Sequence, residues 1–450
     1  MIKIHIIILF FLTISFQISA QNNEQKIQND SLKYHPKKGW NFGAIPYIGF
    51  STDRGFQYGG LINNFNYGNG KIYPKYYQNL YIEVSRTTKG SGINQIFFDS
   101  EHIIKGLRLT ADISHLTEQA LNFYGFNGAQ SRYNPDFIND GSSAYISRVF
   151  YNYERKFTRI LLDLQGNMGI TGLRWLGAAQ ITKIIINSVN INELNKNLKE
   201  SKKLPAVDGL YDDYVKWGLI NNTEKNGGTI SLFSLGTIYD TRDNEGNPNH
   251  GIWSEAILAI APGFINPEKG FTEIAITHRQ YFTLLPNYLT LAYRLNWQQT
   301  VSGRNPFYFL PYKISSIPFS TFVDGLGGSN TIRGILRNRV VADGKILGNI
   351  ELRYKTFQTY WLQQNIDIGL STFYDVGYIT KKSAIDLSLV PTADRLKYFD
   401  EKAANRVYHS IGLGLHFVMN QNFIISPEYG ISLNRNDGNS AFYISVGYIF

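Results

Sequence analysis

The sequence lacks cysteine and is poor in methionine and in charge. Of its 450 residues none is Cys and 3 are Met, which excludes a disulfide scaffold, a zinc–thiolate site and a cysteine nucleophile. Charged residues make up 18% of the chain, below the roughly 25% of soluble domains. The chain instead contains 41 Gly, 30 Tyr and 29 Phe, and this composition excludes a coiled coil and a largely disordered protein.

Long apolar runs are also absent, except at the N-terminus. Lys3 precedes the apolar residues 4–16, and Ala20 ends a small-residue cleavage site, as in a secretory signal peptide. We therefore expect residues 1–20 to be a cleaved signal peptide and residues 21–40 to be a periplasmic lead-in segment. The alternative, a membrane anchor, requires a longer run of about 20 apolar residues.

After residue 40 the sequence alternates between apolar and polar residues with period two, which predicts β-strands. One run places Ile350, Leu352 and Tyr354 opposite Glu351, Arg353 and Lys355. Such runs extend over about 10–15 residues, whereas globular strands average about 5–6. Because charged residues occupy the middle of the polar faces, the pattern indicates strands with lipid on one side and a polar lumen on the other.

The alternation predicts an all-β fold, a closed antiparallel transmembrane barrel of about 16 strands within residues 41–450. The expected strands are approximately 41–53, 55–68, 76–89, 92–103, 107–117, 143–158, 160–175, 228–242, 251–263, 270–285, 288–303, 345–357, 366–380, 406–420, 422–434 and 439–450.

The connections between these strands are unequal in length. Long gaps follow odd-numbered strands, at 118–142, 176–227, 304–344 and 381–405. Long outer loops and short periplasmic turns are typical of outer-membrane barrels. We therefore predict that 176–227 is an outer-loop insert, which either contains a short helix near 190–203 or is disordered.

Four segments carry motifs. The chain ends on an aromatic residue, and a strand that continues to the end would put five side chains on one face: Phe442, Ile444, Val446, Tyr448 and Phe450. The segment Ile332-Arg333-Gly334-Ile335 lies in the long connection 304–344. The segment Phe373-Tyr374-Asp375-Val376-Gly377 lies in the thirteenth predicted strand, and Tyr239-Asp240-Thr241-Arg242-Asp243 ends the eighth.

In these segments the chain resembles the BamA/TamA family of outer-membrane barrels, also called the bacterial surface-antigen family. The resemblance covers roughly residues 41–450 and departs from the family pattern at Ile335, where an aromatic residue is common. Residues 21–40 are too few for a periplasmic POTRA module, since a minimal domain needs about 50 residues. We therefore expect the barrel portion alone.

The resemblance implies a role for each segment. In that family the sixth outer loop, 304–344 here, folds into the lumen, where Arg333 and Gly334 would meet Asp375 and Gly377. The alternative is an exposed loop arginine and an unrelated lumen carboxylate. Asp240, Arg242 and Asp243 would form the strand-turn motif. The five C-terminal residues would be the signal that the outer-membrane assembly machinery reads.

The function that the resemblance implies is insertion or translocation of proteins at the outer membrane of a Gram-negative bacterium. The expected partners are the outer-membrane lipid bilayer, the assembly machinery, and client outer-membrane or secreted proteins. Two other functions remain open. One is a passive channel or porin with 304–344 as its constriction, and the other is a surface-recognition barrel that binds through 176–227.

Motifs for chemistry are not evident. His409 and Ser410 are adjacent, so a strand places them on opposite faces, and His278 has no evident partner serine. No nucleotide-binding glycine loop or acidic calcium loop occurs. The net charge of +9 is dispersed along the chain, and a signal peptide argues against nucleic acid. We expect no catalytic residue, no metal site, no cofactor and no nucleic-acid partner.

Overall fold

The computed structural model describes residues 35–51, 55–196, 198–266, 270–316 and 325–450. Sixteen strands form one closed antiparallel sheet in chain order, which β1 and β16 close. The predicted barrel and its strand number are confirmed. The predicted signal peptide, 1–20, lies outside the described residues, as does the lead-in segment up to residue 34.

The strands are β1 Trp40–Ser51, β2 Gly55–Asn66, β3 Gln78–Thr87, β4 Gly92–Ile104, β5 Leu107–Asn122, β6 Asn152–Asn167, β7 Leu173–Asn187, β8 Gly227–Asp240, β9 Gly251–Ala261, β10 Phe271–Leu285, β11 Leu289–Gly303, β12 Gly344–Trp361, β13 Gln364–Lys381, β14 Tyr408–Met419, β15 Phe423–Ser432 and β16 Ser440–Val446.

The two ends of the barrel differ. We call the end with the connections after odd-numbered strands the loop end, and the opposite end the turn end. The helices all lie in loop-end connections: α1 Ile191–Asn195, α2 Leu210–Lys216 and α3 Thr392–Tyr398, with 3-10 turns at Gly128–Gln130, Pro135–Ile138, Glu200–Lys202, Leu387–Leu389 and Arg435–Asp437. None of the helices in the described part of the chain is long and apolar enough to cross a membrane.

In β12 the predicted alternation places the side chains on the expected faces. In β12, Ile350 is 45% exposed, whereas its neighbour Glu351 is 0% exposed. The exposed face of the barrel is therefore apolar, and the buried face carries the charges. This is the reverse of a soluble protein and suits strands that are surrounded by lipid.

The sixth and seventh strands lie further along the chain than predicted. They span 152–167 and 173–187, not 143–158 and 160–175. Near the loop end β7 turns Ile184 and Ile186 inward, where both are buried in an apolar cluster. Apolar residues thus occupy both faces of this part of β7 and conceal the alternation. The insert consequently spans 188–226, not 176–227, and the expected short helix is α1.

Aromatic side chains from four loop-end connections pack into one cluster, which we call the aromatic cap. Phe123 and Tyr214 are typical members, with ring centroids 5.1 Å apart and nearly perpendicular planes, a favourable geometry. Each fully buried large apolar side chain contributes roughly 1.5–3 kcal/mol. The cap therefore holds these connections together at the loop end. Its members include Phe123, Phe126, Phe150, Tyr151, Leu210, Tyr214, Phe307, Phe309, Tyr398 and Phe399.

Candidate functional site

Arg333 and Asp375, predicted to pair, are in direct contact. Arg333 belongs to the connection 304–343, Asp375 belongs to β13, and both side chains are fully buried. Arg333 Nε donates to Asp375 Oδ2 at 2.8 Å, and Nη2 donates to Oδ1 at 2.8 Å. The backbone N–H of Arg333 donates to the same carboxylate at 3.0 Å. This is the bidentate geometry that a planar guanidinium allows.

Arg333 also binds two carboxylates that the sequence had not connected with it. Its Nη1 donates to Glu351 Oε1 of β12 at 2.8 Å and to Glu428 Oε1 of β15 at 2.6 Å. The guanidinium carbon lies 3.3 Å from the ring centroid of Phe373, a cation–π contact. One loop residue therefore ties three strands together. Alternation had placed Glu351 on the polar face, but only the closed sheet brings Glu351 and Glu428 to the same arginine.

The two predicted glycines leave room for this contact. Gly334 has φ +92°, and a Cβ there would lie 2.8 Å from the carbonyl carbon of Gly430 in β15. Its backbone N–H donates to the Tyr443 hydroxyl of β16 at 3.2 Å. At Gly377 a Cβ would lie 2.6 Å from Ile332 Cδ1. A side chain at position 377 would therefore press on Ile332, the residue that precedes Arg333.

Asp240, Arg242 and Asp243 lie at the turn between β8 and β9, where Asp240 also contacts Arg174 of β7 at 3.5 Å. Arg242 Nε and Nη2 each donate to a different oxygen of Asp240 at 2.9 Å. Asp243 Oδ1 accepts from the backbone N–H of Asn249 at 2.9 Å and of His250 at 3.2 Å. The motif thus fixes the shape of a turn-end connection.

The five C-terminal residues do not share one face, contrary to the prediction. β16 ends at Val446, and Gly447 has φ +88°, so the alternation stops there. Phe442 and Val446 remain exposed, whereas Phe450 is 7% exposed. Two members complete the set: Ile444 is half-buried, and the ring centroid of Tyr448 lies 3.9 Å from the guanidinium carbon of Arg353. Next to them, the carbonyl oxygen of Ile449 accepts from Arg294 at 3.0 Å.

The junction that closes the barrel is short. Among the described residues, β1 and β16 pair only at Phe50↔Ile444 and Ser51↔Tyr443. On its other side β1 pairs with β2 along all 12 of its residues. Most of the β16-facing edge of β1 therefore presents backbone groups that β16 does not pair. We call this junction the seam.

A serine partner for His278, which the sequence did not reveal, lies on the exposed face. Ser254 Oγ of β9 is 2.7 Å from His278 Nδ1, and Tyr293 Oη is 3.1 Å from Nε2. These residues meet through strand register, which spacing along the chain does not give. β8 and β10 both pair with β9 at Ser254, so ladder bonds occupy the backbone N–H groups that would have to stabilise an oxyanion. Within the described ranges, no group of three or more His, Asp and Glu side chains could hold a metal ion.

A closed barrel of sixteen antiparallel strands, apolar outside and charged inside, is a transmembrane barrel of the outer-membrane type. The Omp85 superfamily domain matches residues 78–450. The chain therefore belongs to the Omp85 superfamily, and the family resemblance is confirmed. Membership implies the outer membrane of a Gram-negative bacterium.

Solved structures of other proteins share this fold. The structure of BamA from Haemophilus ducreyi lacking POTRA domains 1–3 is 16% identical in sequence, with a TM-score of 0.51, covering 92% of this chain and 71% of that one. CdiB from Escherichia coli is 10% identical, with a TM-score of 0.54, covering 92% of this chain and 64% of that one. Identities this low establish the fold alone. No curated protein matches the sequence.

Proposed function

We propose that this barrel inserts or translocates proteins at the outer membrane and that client strands bind at the seam. The observation that carries the proposal is the two-pair contact between β1 and β16. An edge with unpaired N–H and C=O groups accepts an added strand. A client strand would pair with this edge, so that insertion begins without melting a complete strand interface.

The Arg333 contacts would hold the β16 side of the seam in place, with loop 304–343 folded into the lumen. Arg333 binds Glu428 of β15, and Gly334 binds Tyr443 of β16. These two strands are the last of the barrel. The loop would therefore keep the receiving edge in register while the seam opens.

Engineered disulfides test the seam directly, because the chain has no native cysteine. Phe50→Cys with Ile444→Cys places thiols at a paired position across the seam, where the Cα spacing of about 4.5–5.5 Å between opposed residues lies within the range of disulfides. Oxidation should abolish insertion of a client barrel into proteoliposomes, and reduction should restore it.

The matched control lies inside a complete strand pair. Ile48→Cys with Tyr58→Cys joins β1 to β2 at a paired, exposed position. Its disulfide should leave insertion unchanged. Full insertion with the seam locked would refute the proposal. Solute conductance together with unchanged client assembly in a deletion strain would favour the passive channel, although the aromatic cap at the loop end argues against an open pore.

Two further elements belong to this proposal. The chain would be exported through residues 1–20, and the assembly machinery would insert it through its C-terminal residues. Mass spectrometry of the outer-membrane fraction should find a mature N-terminus near Gln21.

A further inference from the structure

A cavity of about 360 Å³ lies inside the barrel toward the turn end. Its walls come from inward-facing strand residues, the connection 304–343 and the C-terminal segment Gly447 to Phe450. We call it the turn-end cavity. Its volume lies within the roughly 300–1,000 Å³ of small-molecule sites and exceeds the roughly 30 Å³ of one water many times.

The walls of the turn-end cavity carry an excess of positive charge. Three of its arginines have carboxylate partners: Arg108 binds Asp99 and Glu245, Arg174 binds Glu101, and Arg242 binds Asp240. Three further cations line the cavity, Arg279, Arg294 and Lys313. No carboxylate among the described residues lies within the 4.0 Å of an ion pair from any of these three.

Arg279 and Arg294 are direct cross-strand partners on β10 and β11. Like charges placed opposite each other destabilise a sheet. They are 7% and 2% exposed, and Lys313 is 7% exposed, so water screens the three charges poorly. Arg279 Nε is buried and makes no hydrogen bond within the described part of the molecule.

The nearest compensation is incomplete. Glu255 acts electrostatically on both Arg279 and Lys313, so that one carboxylate opposes two cations, and it forms an ion pair with neither of them. Arg294 satisfies its donors with neutral oxygens, including Asn349 Oδ1 at 2.9 Å. Buried cations that face each other without full compensation reduce stability, and such departures from the rules of stable folding are expected at functional sites.

We propose that the turn-end cavity binds a small phosphate-bearing molecule through Arg279, Arg294 and Lys313. One guanidinium group can donate two parallel hydrogen bonds to the oxygens of a phosphate, and the ammonium group of a lysine adds a compact positive charge. Aromatic rings hold both guanidinium groups in place: that of Arg279 lies 4.4 Å from the ring centroid of Trp253, and that of Arg294 lies 5.3 Å from the ring centroid of Phe450. The cavity exceeds the size of a bare ion, so the phosphate carries an organic body that packs against these rings.

The experiment is calorimetric titration of the full chain in detergent micelles at constant ionic strength. The probes are inorganic phosphate, glycerol 3-phosphate and short-chain phosphatidic acid, with sodium chloride as the reference. We expect saturable 1:1 binding of at least one organic phosphate and no saturation with chloride. Tighter glycerol 3-phosphate identifies a soluble ligand, whereas tighter phosphatidic acid identifies a lipid headgroup.

Variants locate the site. Arg279→Gln and Lys313→Gln should each weaken binding roughly ten- to hundredfold, as the loss of a charge-assisted hydrogen bond does. Each should also raise the melting temperature of the ligand-free barrel, because each relieves repulsion between cations. The control Lys345→Gln removes another buried cation that does not line the cavity and should bind like wild type.

Tryptophan fluorescence of the wild-type chain adds a readout that needs no charge variant. Ligand should change the emission of wild type but not of Trp253→Phe. The proposal is overturned if no phosphate compound saturates the wild type, or if Arg279→Gln and Lys313→Gln bind as wild type does. It does not depend on insertase activity, so a failed seam experiment leaves it standing.

Discussion

Replacement of Arg333 tests the candidate site most sharply. Arg333→Ala removes four side-chain hydrogen bonds, two to Asp375 and one each to Glu351 and Glu428. Breaking a buried ion pair costs about 3–5 kcal/mol, because the remaining charge stays buried. We expect the free energy of unfolding to fall by about that amount.

The three carboxylates that remain are not equivalent. Glu351 keeps Arg353 at 2.7 Å, and Asp375 keeps the Asn349 amide at 2.7 Å. Glu428 loses its one cation among the described residues. Glu428→Gln should therefore restore part of the stability that Arg333→Ala removes, while in the wild-type background it should cost about 1–3 kcal/mol.

The assay is urea unfolding in micelles followed by tryptophan fluorescence, compared at equal m-values. Arg132→Ala is the control, since this exposed side chain donates, within the described part of the chain, only to the carbonyl oxygen of Leu396 in α3 at 3.0 Å, and we expect a change within about 0.5 kcal/mol. Two results would refute the reasoning: Arg333→Ala as stable as the control, or Glu428→Gln lowering stability equally in both backgrounds.

The remaining predictions concern other contacts of the same region. Arg333→Ala combined with Asp375→Ala should be little worse than Arg333→Ala alone, because residues that share an interaction are not additive; a cycle with fully additive losses would contradict this. Arg333→Lys should restore stability only in part, since an ammonium lacks the planar fork, and urea midpoints will show it. Gly377→Ala should cost about 1–3 kcal/mol through overpacking against Ile332, and Ile332→Ala should lower that cost; an unchanged cost would exclude this clash. Phe450→Ala should destabilise the folded barrel by about 3 kcal/mol, because Phe450 packs with Tyr281 and Ala292; a loss of assembly without any loss of stability would instead support a purely exposed signal.

The sequence alone determined the barrel, because strand period, face polarity and turn chemistry are local properties. The alternation of Ile350 with Glu351 requires only that one face meets lipid. It also put Asp375 on the inner face, and the family motif supplied Arg333 as its partner. The same local rule failed in β7, where Ile184 and Ile186 face the aromatic cap, because a buried apolar position looks the same whether lipid or a packed loop covers it.

Tertiary structure alone decided which inward charges meet. Glu351 and Glu428 lie on strands that are not neighbours in the sheet, and the closed barrel brings both of them to Arg333. The inward course of the chain after Gly447 and the pairing of Arg279 with Arg294 depend likewise on a backbone angle and a strand register. The packing of the whole sheet sets this angle and this register, because each inner position faces residues that are distant in sequence. Alternation specifies the face on which a side chain lies but not its partner across the lumen.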